Sequence, residues 1–180
     1  SVAMLDRDGR IKPCGGAIPP RLINDFLITD NQIVAKIKTA RMISPTGRNV
    51  DIPIEDGFVG MVDREYFDEF LRKRAEIAGA KRYTGTYLRI DRDGVGTHVV
   101  YRDKTSGEER SLHTRLVIGA DGARSWVRQQ SGILWGQRDY RQHAVVATLQ
   151  TEHSHGGVAA QWFDQGEILA FLPLVHPNRV

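Results

Sequence analysis

The run Leu116-Val117-Ile118-Gly119-Ala120-Asp121-Gly122-Ala123-Arg124-Ser125-Trp126-Val127-Arg128 constrains the fold of this chain more than any other stretch. Its three apolar residues read as a buried strand, Gly-Ala-Asp-Gly as a tight turn, and Ala123 to Gln130 as a short helix. Strand, glycine turn and helix in that order are the unit from which α/β sheets are wound. Glycines in such a turn let the backbone approach a phosphate-bearing ligand, and a helix N-terminus favours its negative charge. Asp121 and Gly122 are therefore candidate ligand residues, set against the plainer reading of an Asp-Gly turn. Ser125 and Arg128 have plain alternatives too, a helix cap and a solvated charge.

The rest of the pattern is mixed α and β. Ser1 to Leu5 reads as the end of a buried strand, and Asp6-Arg7-Asp8-Gly9 as the turn after it. A small-residue loop, Lys12 to Ala17, carries paired glycines that permit close backbone approach, and Arg21 to Phe26 has helical character. Ile33 to Ile43 and Val50 to Ile54 predict a hairpin about Pro45-Thr46-Gly47-Arg48-Asn49. Asp63 is a good N-cap, and Tyr66, Phe67, Phe70, Leu71, Ala75 and Ala78 recur at helical spacing before Gly79. Thr86 to Ile90, Thr97 to Arg102 and Ser111 to Ile118 predict a meander separated by the turns Asp91-Arg92-Asp93-Gly94 and Lys104-Thr105-Ser106-Gly107. Gln142 to Thr151, Val158 to Phe163 and Ile168 to Leu172 read as strands, the last two as a hairpin. The sequence shows no internal repeat and no low-complexity linker.

Composition narrows the function classes. The 180 residues are 41% hydrophobic and 26% charged, which suits a folded chain and argues against disorder. Net charge is only +3, from 25 basic and 22 acidic residues with no block of one sign, so a nucleic-acid partner is not expected. Ile168 to Val175, the longest apolar run, falls well short of the roughly 20 residues of a membrane helix. Peripheral membrane contact stays open. No signal peptide is visible, and Cys14 is the single cysteine, so the expected setting is a reducing cytoplasm. His153 and His155 flank Ser154, but no cysteine or acidic cluster completes a ligand set, so no metal is expected.

The Leu116 to Arg128 stretch resembles the second conserved motif of FAD-dependent reductases and hydroxylases, an Asp-Gly followed by Ser and Arg. Two further runs are similar to the geranylgeranyl reductase family: Lys12-Pro13-Cys14-Gly15-Gly16-Ala17-Ile18-Pro19, and Asp63-Arg64-Glu65-Tyr66-Phe67-Asp68-Glu69-Phe70-Leu71. The resemblance implies an aspartate, Asp121, beside the ribityl and pyrophosphate region of FAD. It implies a substrate or flavin-side loop at Cys14, Gly15 and Gly16, and a cofactor contact from Arg64, whose alternative is a solvated first-turn residue. It also places Asp6 at the end of the second strand of a nucleotide-binding unit. A carboxylate there hydrogen-bonds ribose hydroxyls, where many relatives carry glutamate.

From this resemblance follow an incomplete Rossmann-like FAD-binding domain over 1–32 and 63–135, and an interleaved β-sheet substrate domain over 33–62 and 136–180. The implied parent is an FAD-dependent oxidoreductase acting on a hydrophobic isoprenoid or quinone-type compound. In a reductase NADPH reduces FAD and hydride passes to an isoprenoid double bond; in a hydroxylase reduced flavin and oxygen hydroxylate a ring. A non-catalytic structural or binding fragment is the alternative from another class. No Gly-x-Gly-x-x-Gly occurs in the chain, and the later Gly-Asp motif of the family is also unseen. The chain therefore reads as cut at both ends and is expected to hold FAD poorly or not at all.

Residues to about 122 look like geranylgeranyl reductase. Ala123 to Arg128, Tyr140 to Ala147, His155 to Ala159 and Leu169 to Leu174 look more like ubiquinone-biosynthesis hydroxylases. A mosaic and a divergent single lineage are both open. Since the two families share a fold, Gln142 to Leu174 is expected to lie in one sheet with Ile33 to Ile54.

Overall fold

Apolar periodicity and turn residues place most of the elements in the computed structural model, which describes residues 1–7 and 14–180. The turn expected after Asp6 and the Lys12-Pro13 part of the small-residue loop lie outside the described residues. The chain forms two compact units, Ser1–Arg10 with Leu71–His143, and Ile11–Phe70 with Ala144–Val180. Each is assembled from two separate stretches, so the α/β units are interleaved along the chain rather than sequential.

In the second of these units, β2 (Ala17–Ile18), β6 (Val59–Met61) and β3 (Ala35–Ile37) form a small antiparallel sheet in that order. A larger sheet has the order β11 (Glu167–Phe171), β10 (Val158–Asp164), β4 (Thr39–Ile43), β5 (Asn49–Pro53). Strand β10 runs parallel to β4, with Val158 opposite Thr39 and Trp162 opposite Ile43. The expected sharing of one sheet is therefore observed for Val158 to Phe171 with Thr39 to Pro53, while Ala35–Ile37 belongs to the smaller sheet and Gln142 to Thr151 to neither. Across the β4–β5 hairpin, Arg41 grips Asp51 with two bonds of 2.6 and 2.7 Å, which pins the register of directly opposed residues. Helix α1 (Pro20–Asp25) starts on Pro20, whose fixed φ suits a first helical turn.

Helix α2 (Arg64–Ile77) begins where Asp63 Oδ1 accepts the Glu65 amide at 3.0 Å, the cap expected of that aspartate. Its Phe67 is buried with Ile18, Ile28 and Val62, and Leu22, Ile23, Ile33 and Phe70 pack around them. A second cluster, Ile37, Met61 and Ala159, is covered by Val34, Val59 and Leu172 and joins the two sheets of the unit.

The first unit has a sheet of order β1 (Val2–Asp6), β7 (Ala80–Arg92), β8 (Thr97–Asp103), β9 (Glu109–Thr114). Strand β7 serves two ladders. Its start pairs parallel with β1, Val2 opposite Ala80 and Asp6 opposite Thr84, and its remainder pairs antiparallel with β8 through a bulge at Tyr87 and Arg89. Val100 and Tyr101 are buried, with Tyr83 edge-on to Tyr101. Helix α3 (Trp126–Gln130) is held against β7: Gln130 accepts the Tyr87 hydroxyl at 2.6 Å and the Ile90 amide at 3.2 Å, and donates to the Leu88 carbonyl at 3.0 Å.

Four strand expectations are corrected. Strand β9 ends at Thr114, and Leu116 to Ile118 is neither strand nor buried, with Leu116 73% and Ile118 81% exposed. Thr114 Oγ1 bonds both the amide and the carbonyl of Leu116, and this local capture competes with a ladder. Gln142 to Thr151 forms no strand, only an isolated bridge from Gln150 to Arg179. Its apolar side chains lack a neighbouring strand and stand in solvent, Val145 at 92%. Strand β1 is present but not buried at its start, because it lies at the sheet edge and Val2 is 67% exposed. Lys38 also breaks the expected 33–43 strand, sending β3 and β4 to different sheets.

Candidate functional site

Asp121 organises the turn that the sequence singled out. Its Oδ1 accepts the buried Ser125 hydroxyl, and its Oδ2 accepts the Trp126 amide at 2.7 Å and the Val127 amide at 3.3 Å. Ser125 is the N-cap of α3, its Oγ taking the Arg128 amide at 3.0 Å. Burial is the largest single influence on the Asp121 carboxyl and opposes its ionisation. The Ser125 hydroxyl and the backbone amides together outweigh it, and the group titrates below the ordinary carboxylate value. Tyr87 is pushed up, first by burial and then by the Asp121 and Asp91 carboxylates. Its phenol is thus a neutral donor that fastens α3.

Gly122 adopts φ +94 with nothing within 4 Å of where a Cβ would point, so backbone conformation requires glycine there and the face it leaves is open. By contrast, a Cβ on Gly119 would press on Val127 at 3.0 Å, so this glycine lets the Leu116 to Ile118 segment and helix α3 meet. The Arg128 guanidinium sits over Trp135, its carbon 3.8 Å from the ring centroid, and donates to the Ala123 carbonyl at 3.1 Å. Gly119, Gly122, Ser125 and Arg128 open onto one cleft of about 590 Å³, which Ile90, Arg92, Thr97, Arg115 and Ile133 also line.

The other sequence candidates have surroundings of their own. Asp6 Oδ2 receives Arg72 Nε at 2.6 Å, an ion pair with the arginine 14% exposed. Any sugar hydroxyl reaching Asp6 therefore meets a carboxylate already charge-balanced. In the second unit Arg64 pairs with Asp68 at 2.6 Å, yet its Nε is buried with no hydrogen-bond partner. An orphaned buried donor costs about 1–3 kcal/mol and fits a group waiting for an acceptor. Cys14 is half-buried. The close approach that Gly15 and Gly16 allow is to the protein itself: a Cβ on Gly15 would lie 2.5 Å from Leu172 Cδ1, and one on Gly16, at φ +76, would strike the Val62 carbonyl. The Gly16 carbonyl also accepts the Val62 amide at 2.9 Å.

His155 has a structural task, its Nδ1 accepting the Gly157 amide and its Nε2 within 3.2 Å of the Leu174 and His176 carbonyls. Sequence reasoning missed Tyr87, Gln130, Arg92 and Arg115. Tyr87 and Gln130 meet across 43 residues and Arg92 lies 30 residues before Gly122, separations for which no local pattern exists, whereas Arg115 directly precedes the Leu116 to Arg128 run and carries no spacing signal of its own.

A family model described as an FAD binding domain matches residues 28–178. The chain belongs to the FAD binding domain family. Over 129 residues it is 70% identical to a geranylgeranyl diphosphate reductase of Rhodobacter capsulatus, a match covering 72% of this chain and 33% of that protein. It is 39% identical over 89 residues to a ubiquinone hydroxylase of Rhodospirillum rubrum, covering 49% of this chain and 19% of that one. Among solved structures, it superposes with TM-score 0.77 and 16% identity on a geranylgeranyl bacteriochlorophyll reductase-like protein from Thermoplasma acidophilum. That match covers 98% of this chain and 48% of the other and shows a shared Rossmann-like fold. The chain thus spans about a third of the length of the curated relatives it matches.

The family implies FAD, and the residues present fit it. In the first unit Gly122 leaves an open backbone face and the cleft at the Asp-Gly turn is lined by arginine. In the second unit, taken by itself, Arg64 holds a buried Nε–H with no partner. Among the described residues no group of three or more metal-ligating side chains occurs, and no helix is long and apolar enough to cross a membrane.

Proposed function

We propose that this chain belongs to an FAD-dependent oxidoreductase of the geranylgeranyl reductase type, which reduces double bonds of a hydrophobic isoprenoid with NADPH as the source of electrons. The observation that carries the reading is the 70% identity to the Rhodobacter capsulatus reductase over 129 residues. FAD, when bound, supplies the hydride chemistry. The chain's own residues bind and orient: Asp121 and Ser125 hold the turn, Gly122 gives the ligand access to backbone, Arg64 offers its free Nε–H, and Asp6 contacts the ribose through a carboxylate steadied by Arg72. Sheet β11-β10-β4-β5 walls the substrate side, and the apolar substrate brings the enzyme to the cytoplasmic membrane surface.

The 39% match to a ubiquinone hydroxylase favours one second reading, a ring-hydroxylating monooxygenase. Mass spectrometry separates the two, using protein made from its complete reading frame and supplied with FAD, NADPH and an isoprenoid diphosphate or a quinone precursor. A product heavier by two hydrogens per reduced bond supports the reductase. A product heavier by one oxygen supports the hydroxylase, and absence of bound flavin refutes both.

A further inference from the structure

We propose that the stretch following α3, Ile133 to Arg141, is a membrane-docking segment whose partner is a lipid bilayer carrying anionic headgroups. The inference deepens the proposed function by naming the surface that meets the membrane, and it rests on that reading only for the lipid-soluble character of the substrate.

The segment is fixed at its start and open beyond. The Ile133 amide bonds the Arg128 carbonyl at 3.4 Å at the end of α3, and from there to Leu149 the chain forms neither helix nor strand. Leu134 stands 97% exposed, and Ile133, Trp135 and Tyr140 are exposed beside it. Four large apolar or aromatic side chains in water within one short stretch mark an interaction surface, unlike single exposed residues scattered over a protein.

Charge decides what covers this surface. From Gly122 to His143 four arginines, Arg124, Arg128, Arg138 and Arg141, stand against one carboxylate, Asp139, a net +3 equal to that of the whole chain. That carboxylate is engaged locally, its Oδ1 accepting the Arg141 amide at 2.8 Å. Val95 is also exposed, but it sits in a turn with Asp93, which accepts its amide at 2.8 Å, so its surroundings repel an anionic surface.

Arginine interleaved with tryptophan, tyrosine and leucine suits the headgroup layer of a bilayer. Aromatic rings with a polar tip settle there, aliphatic side chains reach the acyl boundary, and guanidinium groups meet lipid phosphate. Cation and ring already lie together: the Arg128 guanidinium over Trp135 and that of Arg138 5.6 Å from the Tyr140 centroid. A polyanion without an apolar layer would pair with the arginines and leave Ile133 and Leu134 in water, whereas a bilayer surface takes both. The backbone here has no ladder, so it enters only the headgroup zone, where water still satisfies its amides and carbonyls, and not the hydrocarbon core.

The test uses the 180-residue chain carrying Trp126→Phe and Trp162→Phe, which leaves Trp135 as the sole tryptophan. It is mixed with vesicles of phosphatidylcholine alone, or of phosphatidylcholine and phosphatidylglycerol in equal parts, and followed by co-sedimentation and Trp135 emission. Binding to the anionic vesicles is expected, with blue-shifted emission quenched by lipid brominated in the upper acyl chain, and it should fall in high salt. Leu134→Ser should weaken it about tenfold, and Arg138→Gln and Arg141→Gln about fivefold each. Val95→Ser and Arg48→Gln, which make the same chemical changes elsewhere, should leave it unchanged. Circular dichroism checks the fold of each variant, and the two arginine variants decide the matter should Leu134→Ser fail to fold.

Absence of binding to anionic vesicles, equal binding to both lipids, or wild-type binding by all three segment variants overturns the docking segment. A Trp135 shift that tracks protein concentration without lipid overturns it in favour of contact with a second copy of the chain. Flavin content and product mass in the complete protein are a separate readout. Vesicle binding without reduction of an isoprenoid keeps the docking segment and sinks the reductase reading; reduction without vesicle binding does the reverse.

Discussion

Replacing Asp121 by alanine tests whether this side chain builds the turn before it serves any ligand. The carboxylate accepts three hydrogen bonds, from the Ser125 hydroxyl and the Trp126 and Val127 amides. Loss of a helix cap typically costs about 0.5–2 kcal/mol. Bonds to a charged acceptor are stronger, but Asp121 is exposed enough for water to replace part of them, so the cost should fall near 1–2 kcal/mol. Helix α3 has five residues and cannot persist without its cap. Amide hydrogen exchange at Trp126, Val127 and Arg128 should therefore accelerate by a factor of about 5–30 in Asp121→Ala. Asp121→Asn, which keeps one acceptor oxygen, should show a smaller acceleration. Exchange rates equal to wild type in Asp121→Ala would refute the capping argument and leave only a ligand role for this residue.

Other expected outcomes follow from the same contacts. Gly16→Ala forces a Cβ onto the Val62 carbonyl at a left-handed φ, whereas Gly47→Ala, at φ +79, meets nothing within 4 Å. In urea melts the first should cost about 2 kcal/mol or more and the second about 1 kcal/mol, and equal losses would contradict the packing. Asp6→Asn removes the charged partner of Arg72 and should lower stability by about 1–2 kcal/mol, read from the urea midpoint by circular dichroism. Because the Asp121 carboxyl is held below its ordinary value of 3.8, its stabilisation is complete above that pH and disappears as pH falls through the lower folded-state value. Exchange protection of α3 should thus be flat from neutral pH to about pH 5 and drop only in stronger acid; a drop near pH 6 would indicate a histidine instead. In the complete protein, Asp121→Ala should lower flavin content far more than Asp93→Ala, and equal flavin content in both would count against the cofactor assignment.

What could be read from sequence divides along a physical line. Helix α2 was legible because Asp63, the apolar spacing and Gly79 lie within one short stretch. The β10–β11 hairpin was legible because Asp164-Gln165-Gly166-Glu167 turns the chain locally. Leu116 to Ile118 and Gln142 to Thr151 carry the composition of strands, but a strand also needs a partner edge, and composition does not say whether one is present. Where no partner lies alongside, as at Leu116, a single threonine hydroxyl is enough to claim the backbone groups.

The site follows the same division. Asp121 and Ser125 are four residues apart, so their bond belongs to the local motif. Tyr87 and Gln130 meet across 43 residues and Arg92 reaches the cleft only because β7 carries it there, so neither was legible. Gly15 and Gly16 show how a motif can be seen without all of its neighbours being named. Paired glycines announce a close approach without naming what approaches, and within the protein Leu172 and Val62 are the neighbours they admit. Asp121 combines both lessons, since the bonds that cap α3 also fix the open face of Gly122 towards the cleft. A residue that shapes a binding turn and a residue that contacts the ligand leave the same mark in a sequence, and only a measurement on the empty protein, such as exchange at α3, separates them.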